Sequence, residues 1–420
     1  MSALSRFNQT RDHSLLLIKD LNAEDCNLQS MPDVSPLKWH LAHTTWFFET
    51  FIYQSADFRF NEAPRRELSP TEYRYMFNSY YNAIGHQYPR AERALLSRPS
   101  LDEVLEYRKR TEDGVRQVVA EIKEQISGSD IVPEQTVVCS GKLYDRLTLG
   151  IEHEMQHQEL MLMDIKHALS KSPLHPGLPS LNRIEQRSSQ AIGTADPNSE
   201  SCSFEKEVVW VGTNQNDSFS FDNERPKHEA IVPNYSLAKR LVTNREFLEF
   251  VESGGYEDPS WWLSDGWTWL KANNIDAPEY WRKQRTQKGY KVYDFQGEHK
   301  LDLDAPVSHV SYFEAQAYAA FRDARLPTEQ EWEHALQTCS DQFSDAWYLW
   351  QWTNSAYLPY PGFKPFAEEA AEYNGKFMCG QFVLRGASFA TPANHSRTSY
   401  RNFFYPHQRW MFSGIRLAFD

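Results

Sequence analysis

Residues 150–162 read GIEHEMQHQELML and contain HExxH, the spacing that places two histidines one helical turn apart. Apolar positions recur at helical spacing through the longer stretch KLYDRLTLGIEHEMQHQELMLMDIKHAL, residues 142–169. His153 and His157 therefore share a face, with Leu149, Leu160 and Met161 on the same stripe, and point into a helical core. Two imidazoles turned away from water need partners, and a metal ion supplies one.

Two other stretches carry the same period: PLKWHLAHTTWFFETFIY, residues 36–53, and LDEVLEYRKRTEDGVRQVVAEI, residues 101–122. Ser35-Pro36 opens the first of them as a cap followed by a first-turn proline. With the N-terminal segment they predict a four-helix bundle over residues 1–170, and bundle cores commonly build metal sites from facing helices. The best third ligand is His43, which shares a helical face with Trp39, Trp46 and Phe47. His40, three residues earlier, is read as projecting elsewhere. A zinc protease would need Glu154 as general base and a downstream third ligand, but no HExxHxxGxxH extension follows. Zinc and other first-row metals all accept three imidazoles, so the residue types alone leave the metal open.

A chain of 420 residues exceeds one ordinary core, and two domains are expected. Residues 171–205 are rich in Ser, Pro, Asn and Gly and read as a linker. Beyond them the pattern changes to short strand-like runs, turns and many Trp. The net charge of −13, without a run of Lys or Arg, argues against nucleic acid or an anionic membrane as partner. The first twenty residues lack a signal-peptide core, and no stretch reaches about 18 consecutive apolar residues. A cytoplasmic protein is expected. The five cysteines (Cys26, Cys139, Cys202, Cys339, Cys379) are scattered without a CxxC pair, which fits reduced thiols.

The second half carries an ordered series of motifs: VVWVGTNQNDSFSFDNERPKH, LVTNREFLEFVESGGY, ARLPTEQEWEHAL, WQWTNSAYLPYPGF and LRGASFATP. Over residues 206–420 it resembles the formylglycine-generating-enzyme/sulfatase-modifying domain, a variant of the C-type-lectin fold. Those enzymes bind copper through paired cysteines near the C-terminal end; here the matching stretch is RGASFATPANHSRTSYRNFFYP, without cysteine. The expected fold class is α+β, a DinB-like four-helix bundle followed by a C-type-lectin-like domain.

The combination of LAH…HEMQH with this second domain is similar to the ergothioneine-biosynthesis sulfoxide synthases. The resemblance implies a non-haem Fe(2+) enzyme that joins a thiol to the imidazole of hercynine (Nα-trimethylhistidine) using dioxygen. Its implied iron ligands are His43, His153 and His157, with Glu154 no longer a protease base. Tyr80 and Tyr81 in MFNSYYNAIG match an active-site tyrosine pair, either of which could supply a proton. Arg90 and Arg93 in YPRAERALLSRP match an RxxR that grips the thiol's carboxylate, with Arg98 close enough to take part. For hercynine the resemblance implies Gln156 and Asn402, with Arg416 as a further carboxylate contact. Phe403 and Phe404 stand where a mycobacterial branch reads Trp-Asp, and aromatic faces suit a trimethylammonium. Cysteine and γ-glutamylcysteine both present a carboxylate, so the donor stays open. A histidine-using ovothiol-type synthase, a selenium-inserting synthase, a zinc thiol-transferase and a non-catalytic lectin-like binder are the competing readings. Oligomeric state is not legible.

Overall fold

A computed structural model describes residues 2–59, 64–82, 84–127, 134–181, 201–214, 219–284, 289–366 and 374–420. The chain forms two compact units, the first running to Lys171 and the second beginning at Ser172.

The first unit contains α1 (Ala3–Leu17), α2 (Leu37–Phe48), the short α3 (Tyr73–Met76), α4 (Leu101–Ser127) and α5 (Glu134–Ser170). Ser2 caps α1 through its side chain. Ser100 caps α4: its hydroxyl accepts from Glu103 N–H, and Glu103 accepts in return from Ser100 N–H. α2 differs from the expectation. Pro36 itself occupies the N-cap, and the Ser35 hydroxyl accepts from Arg93 instead of capping the helix. At its other end α2 passes into a π-helical turn, Glu49–Tyr53.

The four long helices meet over Phe7, Phe48, Ile52, Val115, Val118, Ile122, Leu143, Leu147 and Ile151. Gly150 is required for this packing, because a Cβ there would stand 2.6 Å from the Phe48 ring and 3.0 Å from that of Phe47. The close approach occurs one turn before His153, and so draws α5 against α2 where their histidines meet. No helix among the described residues is long and apolar enough to cross a membrane.

Among the described residues the second unit holds twelve short strands: β1 (Ser201–Phe204), β2 (Glu207–Val211), β3 (His228–Val232), β4 (Tyr235–Ala238), β5 (Trp281–Lys283), β6 (Tyr290–Asp294), β7 (Gly297–Lys300), β8 (Trp350–Ala356), β9 (Phe382–Arg385), β10 (Asn402–Phe404), β11 (Ser413–Gly414) and β12 (Ala418–Phe419). They form sheets ordered β1-β4-β12, β10-β9-β8-β11, β2-β3 and β5-β6-β7, antiparallel except for β8 with β11. Helices α6 (Asn244–Glu252), α7 (Ser264–Asn273), α8 (Tyr312–Phe321) and α9 (Glu329–Cys339) accompany them. Thr243, Ser311 and Thr328 open α6, α8 and α9 with capping boxes.

The core of this unit combines aromatic packing with buried carboxylate–guanidinium pairs. Glu333 meets Arg385, Glu329 meets Arg401 at 2.8 Å, Glu314 meets Arg409 at 3.0 Å and Asp345 meets Arg416. The stretch 171–205 is ordered at both ends. Leu178 and Leu181 are buried, Leu178 N–H donates to Phe295 O at 2.8 Å, and Ser201–Phe204 pairs with β4. Residues 182–200 of the expected linker lie outside the described residues.

Candidate metal centre

α2 and α5 bring His43, His153 and His157 together in the bundle core, with one nitrogen of each ring within 4.8 Å of the others. The Nε2 atoms of His43 and His153 are 3.1 Å apart, and the ring of His157 lies 4.6 Å from each of theirs. All three are buried. Burial, reinforced by the neighbouring imidazoles, lowers His43 and His157 well below the ordinary histidine value. Burial likewise takes His153 to about 3, against the opposing pull of Glu154. At neutral pH all three rings are therefore uncharged and keep a lone pair for a metal.

At His43 a hydrogen bond fixes which nitrogen carries that lone pair. His43 Nδ1 lies 2.6 Å from Phe77 O, an acceptor only, so the proton is on Nδ1 and Nε2 is free to ligate. Trp39 stacks on the His43 ring at 4.7 Å, and its indole N–H donates to Met76 O at 2.9 Å. α2 thus holds residues 76 and 77 at two points, and with them the start of the tyrosine-bearing loop. His40 corrects the sequence reading. It is buried against the centre, with Nδ1 2.7 Å from His157 Nδ1 and Nε2 3.0 Å from Asp164 Oδ2.

Glu154 lies away from the three rings. Its carboxylate accepts from Ser14 Oγ at 2.6 Å, from Arg108 at 2.6 Å and from Arg11 at 3.0 Å, all on α1 and α4. Burial would raise its pKa, but Arg108 and Arg11 outweigh that and hold it at about 2. So weak a base, locked between two guanidinium groups, cannot activate water at the centre. Three buried neutral imidazoles fit a divalent first-row metal, and the donor set is compatible with iron and with zinc.

The DinB superfamily model matches residues 6–161, and the Sulfatase-modifying factor enzyme 1-like domain model matches residues 194–347. The hercynine oxygenase of Mycolicibacterium thermoresistibile is 30% identical over 465 residues, covering 98% of this chain and 93% of that protein. That of Mycolicibacterium smegmatis is 29% identical over 461 residues, covering 98% and 96%. The hercynine oxygenase of Mycobacterium tuberculosis is 35% identical over 247 residues, which span 48% of this chain and 56% of that protein. The chain belongs to the hercynine oxygenase family.

In this hercynine oxygenase family member, Tyr81 is fully buried within one ring of the histidines. It packs on Trp46 and Phe47, which in turn contact His43 and His153, and Tyr80 stacks on it at 4.7 Å. Asn78 pins the loop by accepting from Tyr81 N–H and donating to Tyr81 O and Gly85 O. The RxxR residues separate. Arg93 is buried, donates to Ser35 Oγ at 2.7 Å and lies 3.4 Å over the Trp39 ring. Arg90 and Arg98 are exposed. An Arg93–Trp39–His43 stack therefore leads from the guanidinium to the three-histidine cluster. Gln156 is half-buried on α5.

The remaining sequence-derived positions lie in the second unit. Asn402, Phe403 and Phe404 form β10, where alternation sends neighbours to opposite faces. Phe403 stacks on Tyr357 at 4.1 Å, whereas Phe404 meets Trp410 edge-on, so the two phenylalanines cannot build one cage. The Asn402 side chain accepts from Phe403 N–H. Arg416 is a correction. It is fully buried and its guanidinium is committed to Gln351 Oε1, Ala238 O and Asp345, which makes it part of the domain core rather than a substrate contact. The sequence reading placed Trp39 on the face of His43, where it stacks, but missed Asn78 and Asp164 and misplaced His40. The i, i+3 pair in WHLAH was the available signal for His40.

Proposed function

We propose that this protein is a non-haem iron(II), dioxygen-dependent sulfoxide synthase that joins the sulfur of cysteine or γ-glutamylcysteine to the imidazole C2 of hercynine. The observation that carries the proposal is the convergence of three neutral imidazoles from α2 and α5. It occurs in a chain that hercynine oxygenases match nearly from end to end. In the overall reaction the thiol S–H and the imidazole C2–H are lost. A C–S bond and an S–O bond form, and the second oxygen atom of dioxygen leaves as water.

His43, His153 and His157 would hold the iron, which supplies Lewis acidity and one-electron chemistry toward dioxygen when bound. The chain's own residues do the rest. Arg93 binds the thiol's carboxylate: it is buried and makes no ion pair among the described residues, so an incoming carboxylate meets a desolvated cation. Trp39 keeps that guanidinium flat and at a fixed distance from the histidine layer. Tyr81 holds a proton on its phenol oxygen, excluded from bulk water by Trp46, Phe47 and Phe51, and Tyr80 packs behind it.

Arg93→Gln is expected to raise KM for the thiol about ten- to hundredfold, from loss of a charged hydrogen bond worth about 1.5–3 kcal/mol. KM for hercynine should change far less. Steady-state kinetics with each substrate varied in turn checks this, and equal changes in both would remove Arg93 from the thiol site. The function itself is tested by aerobic incubation of the Fe(II)-loaded protein with hercynine or histidine and each thiol. The expected product has the combined mass of hercynine and thiol plus one oxygen minus two hydrogens. Its absence with every pairing, from protein that has retained iron, would overturn the proposal.

A further inference from the structure

Behind the three-histidine layer lies a second layer that the chemistry described so far does not use. Asp164 sits seven residues beyond His157 on α5, and His40 sits three residues before His43 on α2, so both helices present a polar pair to the same side. Asp164 Oδ2 is anchored by Ser35 N–H at 2.9 Å. It receives His40 Nε2 at 3.0 Å, and His40 Nδ1 stands 2.7 Å from His157 Nδ1. All three side chains are buried.

The proton positions follow from donor and acceptor counting. A carboxylate only accepts, so His40 carries its proton on Nε2. Its Nδ1 is then a lone pair, and the short contact to His157 requires His157 to donate from Nδ1. That leaves the lone pair of His157 on Nε2, free to join a nitrogen of His43 and of His153, whose rings lie 4.6 Å away. We infer that Asp164 and His40 are positioning residues that fix the tautomer and ring orientation of His157 for metal binding. The inference rests on the three-histidine reading and deepens it. The two ligands are thus oriented by different means. His43 is set by a backbone carbonyl, which no substitution can remove, whereas His157 is set by an imidazole backed by a carboxylate. A carboxylate behind an imidazole also makes the ligating nitrogen more basic.

The test is anaerobic titration of the full-length apoprotein with Co(II), which takes the same donors and reports its coordination by visible absorption. His40→Leu keeps the bulk but removes the acceptor, and should weaken Co(II) binding about 10–100-fold with an altered visible spectrum, the usual cost of losing an outer-shell partner. His40→Asn places a side-chain carbonyl near the former Nδ1 and should recover much of that loss. Asp164→Asn keeps an acceptor but removes the charge, and should weaken binding less than His40→Leu. A His40→Leu protein that binds Co(II) as tightly as the parent, with the parent's spectrum, would overturn the inference. Should His40→Leu fail to fold, parental affinity and spectrum in Asp164→Asn would overturn it equally. Failure of the underlying reading looks different: His157→Ala would then retain the parent's affinity.

Discussion

His43→Ala is expected to lower divalent-metal affinity by at least about 100-fold, more than outer-shell losses typically cost, and to abolish turnover. His43 is the informative ligand because it is the member of the triad that comes from α2. His153 and His157 share α5, and any i, i+4 pair on a helix will stand close to each other whatever else the fold does. Only the Nε2 of His43, 3.1 Å from that of His153, makes the centre a meeting of two distant segments. The substitution also has a structural cost. It leaves Phe77 O without its donor, which alone should destabilise the apoprotein by about 1–3 kcal/mol, and it also empties the space between Trp39 and Trp46. Metal content should therefore be measured on the folded fraction after anaerobic loading and gel filtration. One tightly held ion per chain in that variant would sink the centre as described.

The part of this site that could be read from sequence was the part with local periodicity. HExxH sits in a long apolar-periodic stretch, and four residues of spacing fix the mutual position of two side chains before any tertiary contact forms. His40 was misplaced for a definite reason. Every residue of α2 from Leu37 to Phe48 is buried, so the helix has no solvent face against which to rank its two histidines. On such a helix both His40 and His43 turn inward, and only the partner helix decides that one joins the triad while the other backs His157. Asp164 was missed because its role depends on that same cross-helix contact.

In the second unit the local features are the capping boxes of LVTNREF and LPTEQEW and the alternation that separates Phe403 from Phe404, and the sequence reading used neither. The ion pairs were not legible. Arg416 finds Asp345 across 71 residues of chain, and Arg401 finds Glu329 across 72. Nothing in the composition of GIRLAFD distinguishes a guanidinium that meets substrate from one consumed in the core. The distinction lies in burial, and burial is a property of the assembled fold.

Glu154→Gln separates a structural carboxylate from a catalytic one. In the folded chain this group sits at about 2 against an ordinary 4.5, held there by Arg108 and Arg11 in spite of its burial. A carboxylate whose pKa is depressed on folding adds stability above its unfolded value and loses it as the pH falls through its folded value. Its contribution should therefore be complete above about pH 4.5 and disappear toward pH 2, and the interval corresponds to about 3 kcal/mol at about 1.36 kcal/mol per pH unit. Removing the charge takes one anion from two buried guanidinium groups and leaves them Glu112, at 3.0 Å from Arg11 and 3.6 Å from Arg108, so the cost should fall below the ~3–5 kcal/mol typical of a fully broken buried pair. The variant should accordingly unfold at lower denaturant at pH 7, and its stability should fall less steeply than the parent's between pH 4.5 and 2. Folded Glu154→Gln should still bind metal and turn over at close to the parent's rate, since the carboxylate faces α1 and α4 and not the ring nitrogens. The opposite pattern, parental stability with turnover lost, would mean that Glu154 acts on the reacting groups after all, as a protease-like general base would.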